Sequence, residues 1–161
     1  MYEENVGPIY SFFGYRVRSQ HLAEDLTQAT FERALRAWDR FDPRKASART
    51  WLTAIAHNLL IDEHRRANPA EPTTDDPQPR LERLQGAARN PGDSHLEVAV
   101  AADLRAALDS LGARERELIA LRFGADLTGP EIAEIAGLSL ANTQQILSRA
   151  LRKMRVALSA D

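Results

Sequence analysis

LTGPEIAEIAGLSLANTQQILSRALRKMR, residues 127–155, is the stretch that decides the fold. Thr128 followed by Glu131 forms a capping box, in which a hydroxyl and a carboxylate satisfy N–H groups that a helix leaves open at its start. Ile132, Ile135 and Ala136 give that short helix an apolar side. Gly137 then supplies the backbone freedom for a tight turn, Leu138 plugs the interior, and Ser139 caps the next helix. Ala133, four residues before Gly137, is small where two helices cross closely. The spacing predicts a helix-turn-helix. On its second helix Leu140, Thr143, Ile146, Leu147, Ala150, Leu151 and Met154 collect on a buried side. Ala141, Asn142, Gln145, Ser148, Arg149 and Arg152 then project outward, with Gln144 and Arg155 on the flank. Amides can bond an adenine edge, and Arg can reach guanine or phosphate. The Arg149, Arg152, Lys153 and Arg155 cluster favours a groove-facing helix over a merely solvated one.

Outward from this motif, the chain of 161 residues is 43% hydrophobic and 6% aromatic, enough for a modest core. With 21 basic and 23 acidic residues the formal net charge is −2, so any contact with DNA must come from local clusters. The absence of cysteine excludes disulfide frameworks, thiolate zinc sites and a cysteine nucleophile. Two acids near the start and no apolar run approaching about 20 residues predict a cytoplasmic protein with no membrane insertion.

Composition divides the chain. Residues 1–67 hold nine of the ten aromatics, whereas residues 68–94 hold five of the eight prolines and no aromatic. The expected organisation is all-α: two small helical domains, 1–67 and 95–161, joined by a flexible, acidic linker at 68–94. In the first, Ile9, Phe12, Phe13 and Val17 mark one helix, and Ser19 is placed to cap a second. That second helix carries Leu22, Leu26, Ala29, Phe31, Ala34, Leu35 and Trp38, and should stop by Asp42-Pro43. A third runs from about Ala46 to Arg66. At about 100° per residue its Trp51, Ile55, Asn58, Asp62 and Arg65 share one side. Aromatic, amide and guanidinium groups together are unusual for pure core.

A small α domain with a polar and aromatic helix, an acidic spacer and a helix-turn-helix domain resembles the extracytoplasmic-function (ECF) group of bacterial sigma-70 factors. The resemblance rests on AEDLTQATFERAL at 23–35, FDPRKASARTWLTAIAHNLLIDEHRR at 41–66, and LRAALDSLGARERELIALRF with the motif above, spanning 104–155. It implies a transcription initiation factor without catalytic residues, metal or cofactor. It also implies that Asp25, Gln28, Arg33 and Arg36 dock on the clamp coiled coil of the RNA polymerase largest subunit. Phe41, Arg44, Lys45, Trp51, Ile55, Asn58, Asp62 and Arg65 would open and read the minus-ten element. Ala141, Asn142, Gln144, Gln145, Ser148, Arg149 and Arg152 would read the minus-thirty-five element, in a domain that also touches the polymerase flap. The chain would be a monomer when free, with promoter DNA, core polymerase and an anti-sigma factor as partners. A spacer of 27 residues reaches roughly 90 Å at full extension, against roughly 70–85 Å for about 20–25 base pairs.

Three departures stand out. Ala29 and Ala48 replace a usual Glu and a frequent aromatic, and Asn142 to Leu147 lack two cations of the common recognition helix. Unusual upstream specificity, or reliance on a helper protein, is expected. A regulator that binds only duplex DNA is the alternative; it would have no use for base-capturing groups at 41–66. An enzymatic reading would start from His57, Asp62, Glu63 and His64, but two histidines do not complete a metal shell, and no HExxH spacing, phosphate loop or nucleophile elbow occurs.

Overall fold

The computed structural model describes residues 2–67 and 95–159, and every regular element among them is helical. The expected linker at 68–94 lies outside the described residues. Helix α1 spans Tyr2–Arg16, α2 Gln20–Arg36 and α3 Ala48–Ala67; a 3₁₀ turn at Trp38–Arg40 joins the last two. Helix α4 spans His95–Asp109, α5 Ala113–Ile119, α6 Gly129–Ala136 and α7 Leu140–Leu158, with a π-helical turn at Ala120–Gly124 widening the end of α5.

Local chemistry sets the boundaries. The Ser19 hydroxyl accepts the Leu22 N–H at 3.2 Å and starts α2 as expected, and the Ser47 hydroxyl accepts the Thr50 N–H at 3.1 Å at the start of α3. Each supplies an acceptor to a donor that the helix itself leaves open. Buried Arg116 donates to the Leu108 and Leu111 carbonyls, both at 3.2 Å, and so closes the far end of α4.

The apolar stripes meet in one continuous core. Ile9, Phe12 and Phe13 of α1 pack with Leu26 and Ala34 of α2 and with Leu52, Ala56 and Leu60 of α3. Leu108, Leu118, Ile119, Leu121, Leu127, Ile132, Leu147 and Met154 extend that core through the second half. Helix α1 is the shared wall, packed on α2 and α3 and also on α5 and the π turn. At the point of closest approach Gly124 lies on the α1 backbone: a Cβ there would stand 2.8 Å from the Phe12 Cα and 3.0 Å from the Ser11 carbonyl oxygen. Only glycine lets the two units seat this deeply.

Two expectations for α2 are corrected. The helix ends at Arg36, so Trp38 lies outside it, in the 3₁₀ turn and 47% exposed, and Leu35 is 71% exposed. Periodicity put both on the apolar stripe, but α1 and α3 cover only the Ala23, Leu26, Phe31 and Ala34 side.

Candidate nucleic-acid interface

The helix-turn-helix is built by its caps. Glu131 Oε1 accepts the Thr128 N–H at 3.1 Å and its hydroxyl at 2.7 Å, while the Glu131 N–H points back to Thr128 Oγ1 at 3.5 Å. Gly137 adopts φ +70°, in the left-handed region, and the Leu138 N–H reaches the Ala133 carbonyl at 3.0 Å. Ser139 Oγ then accepts the Asn142 N–H at 3.1 Å, starting α7. Buried Thr143 returns its hydroxyl to the Ser139 carbonyl at 2.9 Å, so this polar residue enters the core satisfied.

On α7 the buried stripe is Thr143, Leu147, Ala150 and Met154. Leu140 and Leu151, expected to be buried, are 42% and 40% exposed. At about 100° per residue the four buried positions span about 60°, and both leucines fall past one edge of that arc. Ala141, Asn142, Gln144, Gln145, Ser148, Arg149 and Arg152 are all exposed. Six of them, all but Asn142, line a shallow open concavity of about 580 Å³. Lys153 is also exposed, but its ammonium donates to Glu115 Oε1 at 2.8 Å and ties α7 to the start of α5. Burial pushes the Glu115 carboxyl up, but Lys153, the Gly112 N–H and the charge of Arg149 outweigh it and hold the group below its ordinary value.

In the first half, three rings meet where α2 gives way to α3. Phe41 and Trp51 have centroids 4.9 Å apart, Trp38 and Phe41 5.3 Å, and Trp38 and Trp51 6.1 Å with planes at 67°. Trp51 and Ile55 are half-buried against the core, whereas Asn58, Asp62 and Arg65 continue the same stripe into solvent. Arg44 and Lys45 are exposed in the preceding loop. There the Asp42 carboxylate accepts the Arg44 N–H at 3.0 Å and its guanidinium at 3.1 and 3.2 Å. Those bonds from Arg44 hold the Asp42 carboxyl below its ordinary value.

The structure thus brings Phe41 and Trp51 together and aligns Ile55, Asn58, Asp62 and Arg65 behind them. Asp25, Gln28, Arg33 and Arg36 are exposed on α2. Arg33 lies 3.6 Å from Asp62, which joins the set expected at polymerase to the set expected at the minus-ten element. Trp38 joins this ring cluster and was not named among the candidates; its signal was a third aromatic three residues before Phe41, hidden by its fit to the α2 stripe. His57 takes no part in this face. Its Nε2 lies 2.5 Å from Glu117 Oε1 of α5.

A helix-turn-helix in one half and a partly exposed aromatic face with cations in the other define a class: helical proteins with the build of transcription factors. The Sigma-70 region 2 family matches residues 1–69, and the Sigma-70, region 4 family matches residues 107–156. The chain is 32% identical over 162 residues to the ECF RNA polymerase sigma factor BldN of Streptomyces coelicolor, covering 100% of this chain and 60% of that one. It is 30% identical over 156 residues to the RNA polymerase sigma factor YlaC of Bacillus subtilis, covering 96% and 88%. The chain therefore spans less than two thirds of BldN and most of YlaC. It belongs to the ECF group of the sigma-70 family of RNA polymerase sigma factors.

Solved structures match the fold. A chain in the co-crystal structure of the sigma factor RpoE with the anti-sigma factor NepR from Bartonella quintana aligns at TM-score 0.74 and 22% identity, covering 99% of this chain and 95% of that one. The structure of CnrH in complex with the cytosolic domain of CnrY aligns at 0.63 and 24%, covering 97% and 80%. Among the described residues, no helix is long and apolar enough to cross a membrane.

Proposed function

We propose that this chain binds core RNA polymerase and directs promoter-specific initiation, the first unit capturing the opened minus-ten strand and the second reading the minus-thirty-five duplex. The observation that carries this reading is the ring cluster of Trp38, Phe41 and Trp51, flanked by exposed Arg36, Arg40, Arg44 and Lys45. Extruding a base costs a few kcal/mol in lost stacking and pairing. A protein that holds melted DNA must return that energy through ring surfaces and nearby cations, with stacking worth about 1–3 kcal/mol per base.

Each set of residues then has a task. Trp38, Phe41, Trp51 and Ile55 offer stacking surface; Asn58, Asp62 and Arg65 offer partners to base edges; Arg44 and Lys45 meet phosphate. Along α7, Asn142, Gln144, Gln145, Arg149 and Arg152 face the major groove, with Ala141 and Ser148 small enough to allow close approach. Asp25, Gln28, Arg33 and Arg36 dock on the clamp coiled coil, and the second unit meets the flap. The protein performs no covalent chemistry. Polymerase as partner implies work in the cytoplasm. The complex of the RpoE relative in fold with the anti-sigma factor NepR supports an anti-sigma partner here.

Co-purification with core polymerase and run-off transcription on a genomic promoter library test the reading. Asn58→Ala should abolish promoter choice while core binding survives. Unchanged promoter choice would remove Asn58 from the reading face, and failure of the native chain to bind core polymerase would leave a regulator of duplex DNA only.

A further inference from the structure

On α7 the buried stripe of Thr143, Leu147, Ala150 and Met154 fixes the direction in which every other side chain points. At about 100° per residue, Gln145 and Arg152 lie within about 10° of the direction straight away from that stripe. Gln144 is about 90° round from it, on the side of Leu140 and Leu151, and Asn142 is about 70° round on the other side. Of the three amides, one stands outward.

Position along the axis separates Gln145 from Arg152. Gln145 falls in the second turn of α7, and Arg152 follows about 10 Å further on at about 1.5 Å per residue. In a helix-turn-helix the early residues of the second helix meet base edges. Arg152 is laid back along its own helix, with Nε 3.4 Å from the Ser148 carbonyl oxygen. Arg149 points about 50° off the outward direction, on the side where its charge acts on Glu115. Both guanidiniums are placed for phosphate, the contact that positions a protein on a duplex without naming a base. The turn before Gln145 carries Ala141 and the turn after it Ser148, both small and exposed. Together the three line the shallow concavity on this side of α7, so the backbone can come close to a groove floor there.

What a carboxamide can pair with is narrow. It offers one acceptor and one NH₂ donor side by side. In the major groove adenine alone presents the matching pair, N6–H and N7; guanine shows two acceptors, cytosine a donor, and thymine an acceptor beside a methyl group. Opposite guanine the amide oxygen would face another acceptor, and a polar group left unpaired on burial costs affinity.

We infer that Gln145 is the specificity-determining residue of α7, selecting an A·T pair in the upstream duplex by a bidentate bond to the adenine edge while Arg149 and Arg152 hold the flanking phosphates. This rests on the duplex reading given to α7 above. The choice of base at that position is then carried by one side chain.

Holoenzyme reconstituted from core polymerase and the full chain provides the test. Templates carry a premelted minus-ten segment of constant sequence, which keeps every variant on the template, and an upstream duplex of randomised sequence; bound templates are sequenced. The native chain should select adenine at one position over each other base by about 5- to 150-fold. Gln145→Arg should move that same position to guanine, whose two acceptors suit a guanidinium. Gln145→Ala should equalise the four bases there, with every other position and the helix content unchanged in both variants. Adenine still selected by either variant, or a change confined to positions where the native chain prefers another base, overturns the assignment and leaves the duplex reading intact. A native chain that enriches no upstream base refutes the duplex reading, and the assignment falls with it.

Discussion

Glu131 serves two masters. It closes the capping box of α6 and also accepts the Thr50 hydroxyl from α3. Burial pushes its carboxyl up, but the bonds from Thr50 and Thr128 and the charge of Arg49 outweigh that and hold it below 4.5. A group whose folded value is depressed stabilises the fold above its unfolded value and loses that contribution as pH falls through the folded one. The same sign holds for Glu117, where burial is outweighed by His57, Arg16 and Arg114. Thermal unfolding followed by circular dichroism should therefore show a loss of stability confined to the range below about pH 4.5, and Glu131→Gln should flatten that acid limb. An acid limb unchanged in Glu131→Gln would mean that its carboxylate contributes nothing. Gly137, at φ +70°, gives a second expectation: Gly137→Ala should cost about 1–2 kcal/mol, lowering the midpoint by about 2–8 °C in a chain of this size. The Glu131 cap and the Gly137 turn were legible beforehand; the bond from Thr50 and the Glu117 cluster were not. Caps and a left-handed glycine are local, and three to five adjacent residues specify them completely.

Whole elements were less legible at their edges. The three helices of the first unit and the two of the helix-turn-helix were expected in the right places, because 3.6-residue periodicity reports one apolar face per helix; α4 and α5 were not individually named. It does not report how wide a neighbour covers that face. Leu35, Leu140 and Leu151 therefore fit the pattern and still remain exposed, and Trp38 left α2 for a turn where it could stack on Phe41 and Trp51. That displacement places it in the proposed stacking surface. Trp38→Ala should weaken binding of a minus-ten single strand by about 1–3 kcal/mol, or about 5- to 150-fold, with upstream duplex binding unchanged; equal affinity would remove Trp38 from the stacking surface. On α7 the scarcity of cations has its own signature. All four cations of the sequence cluster are exposed, but Lys153 is paired with Glu115, which leaves Arg149, Arg152 and Arg155. The slope of log affinity against log salt on upstream duplex should be shallow, and Arg152→Ala should reduce it by about one further unit. A slope that Arg152→Ala leaves alone would place that residue off the phosphate backbone.

At the scale of the molecule, the chain is two helical bundles sharing one core and one wall, α1. Nothing in composition or periodicity revealed this. His57 and Glu117 are 60 residues apart, and Arg18 and Asp109 are 91; each residue taken alone looks like ordinary surface charge. Glycine 124 likewise looks like loop punctuation until the α1 backbone is seen against it. Long-range partners are chosen by topology, which a linear pattern does not contain. The claim on which the molecule's function turns is that its first unit, seated on polymerase, holds an unpaired strand. Affinity of the reconstituted holoenzyme for a forked promoter with a melted minus-ten segment, against the fully paired duplex of the same sequence, measures it directly. A strong preference for the melted template, lost in Asn58→Ala, is expected; equal affinity for the two templates, or no association with core polymerase, would contradict it.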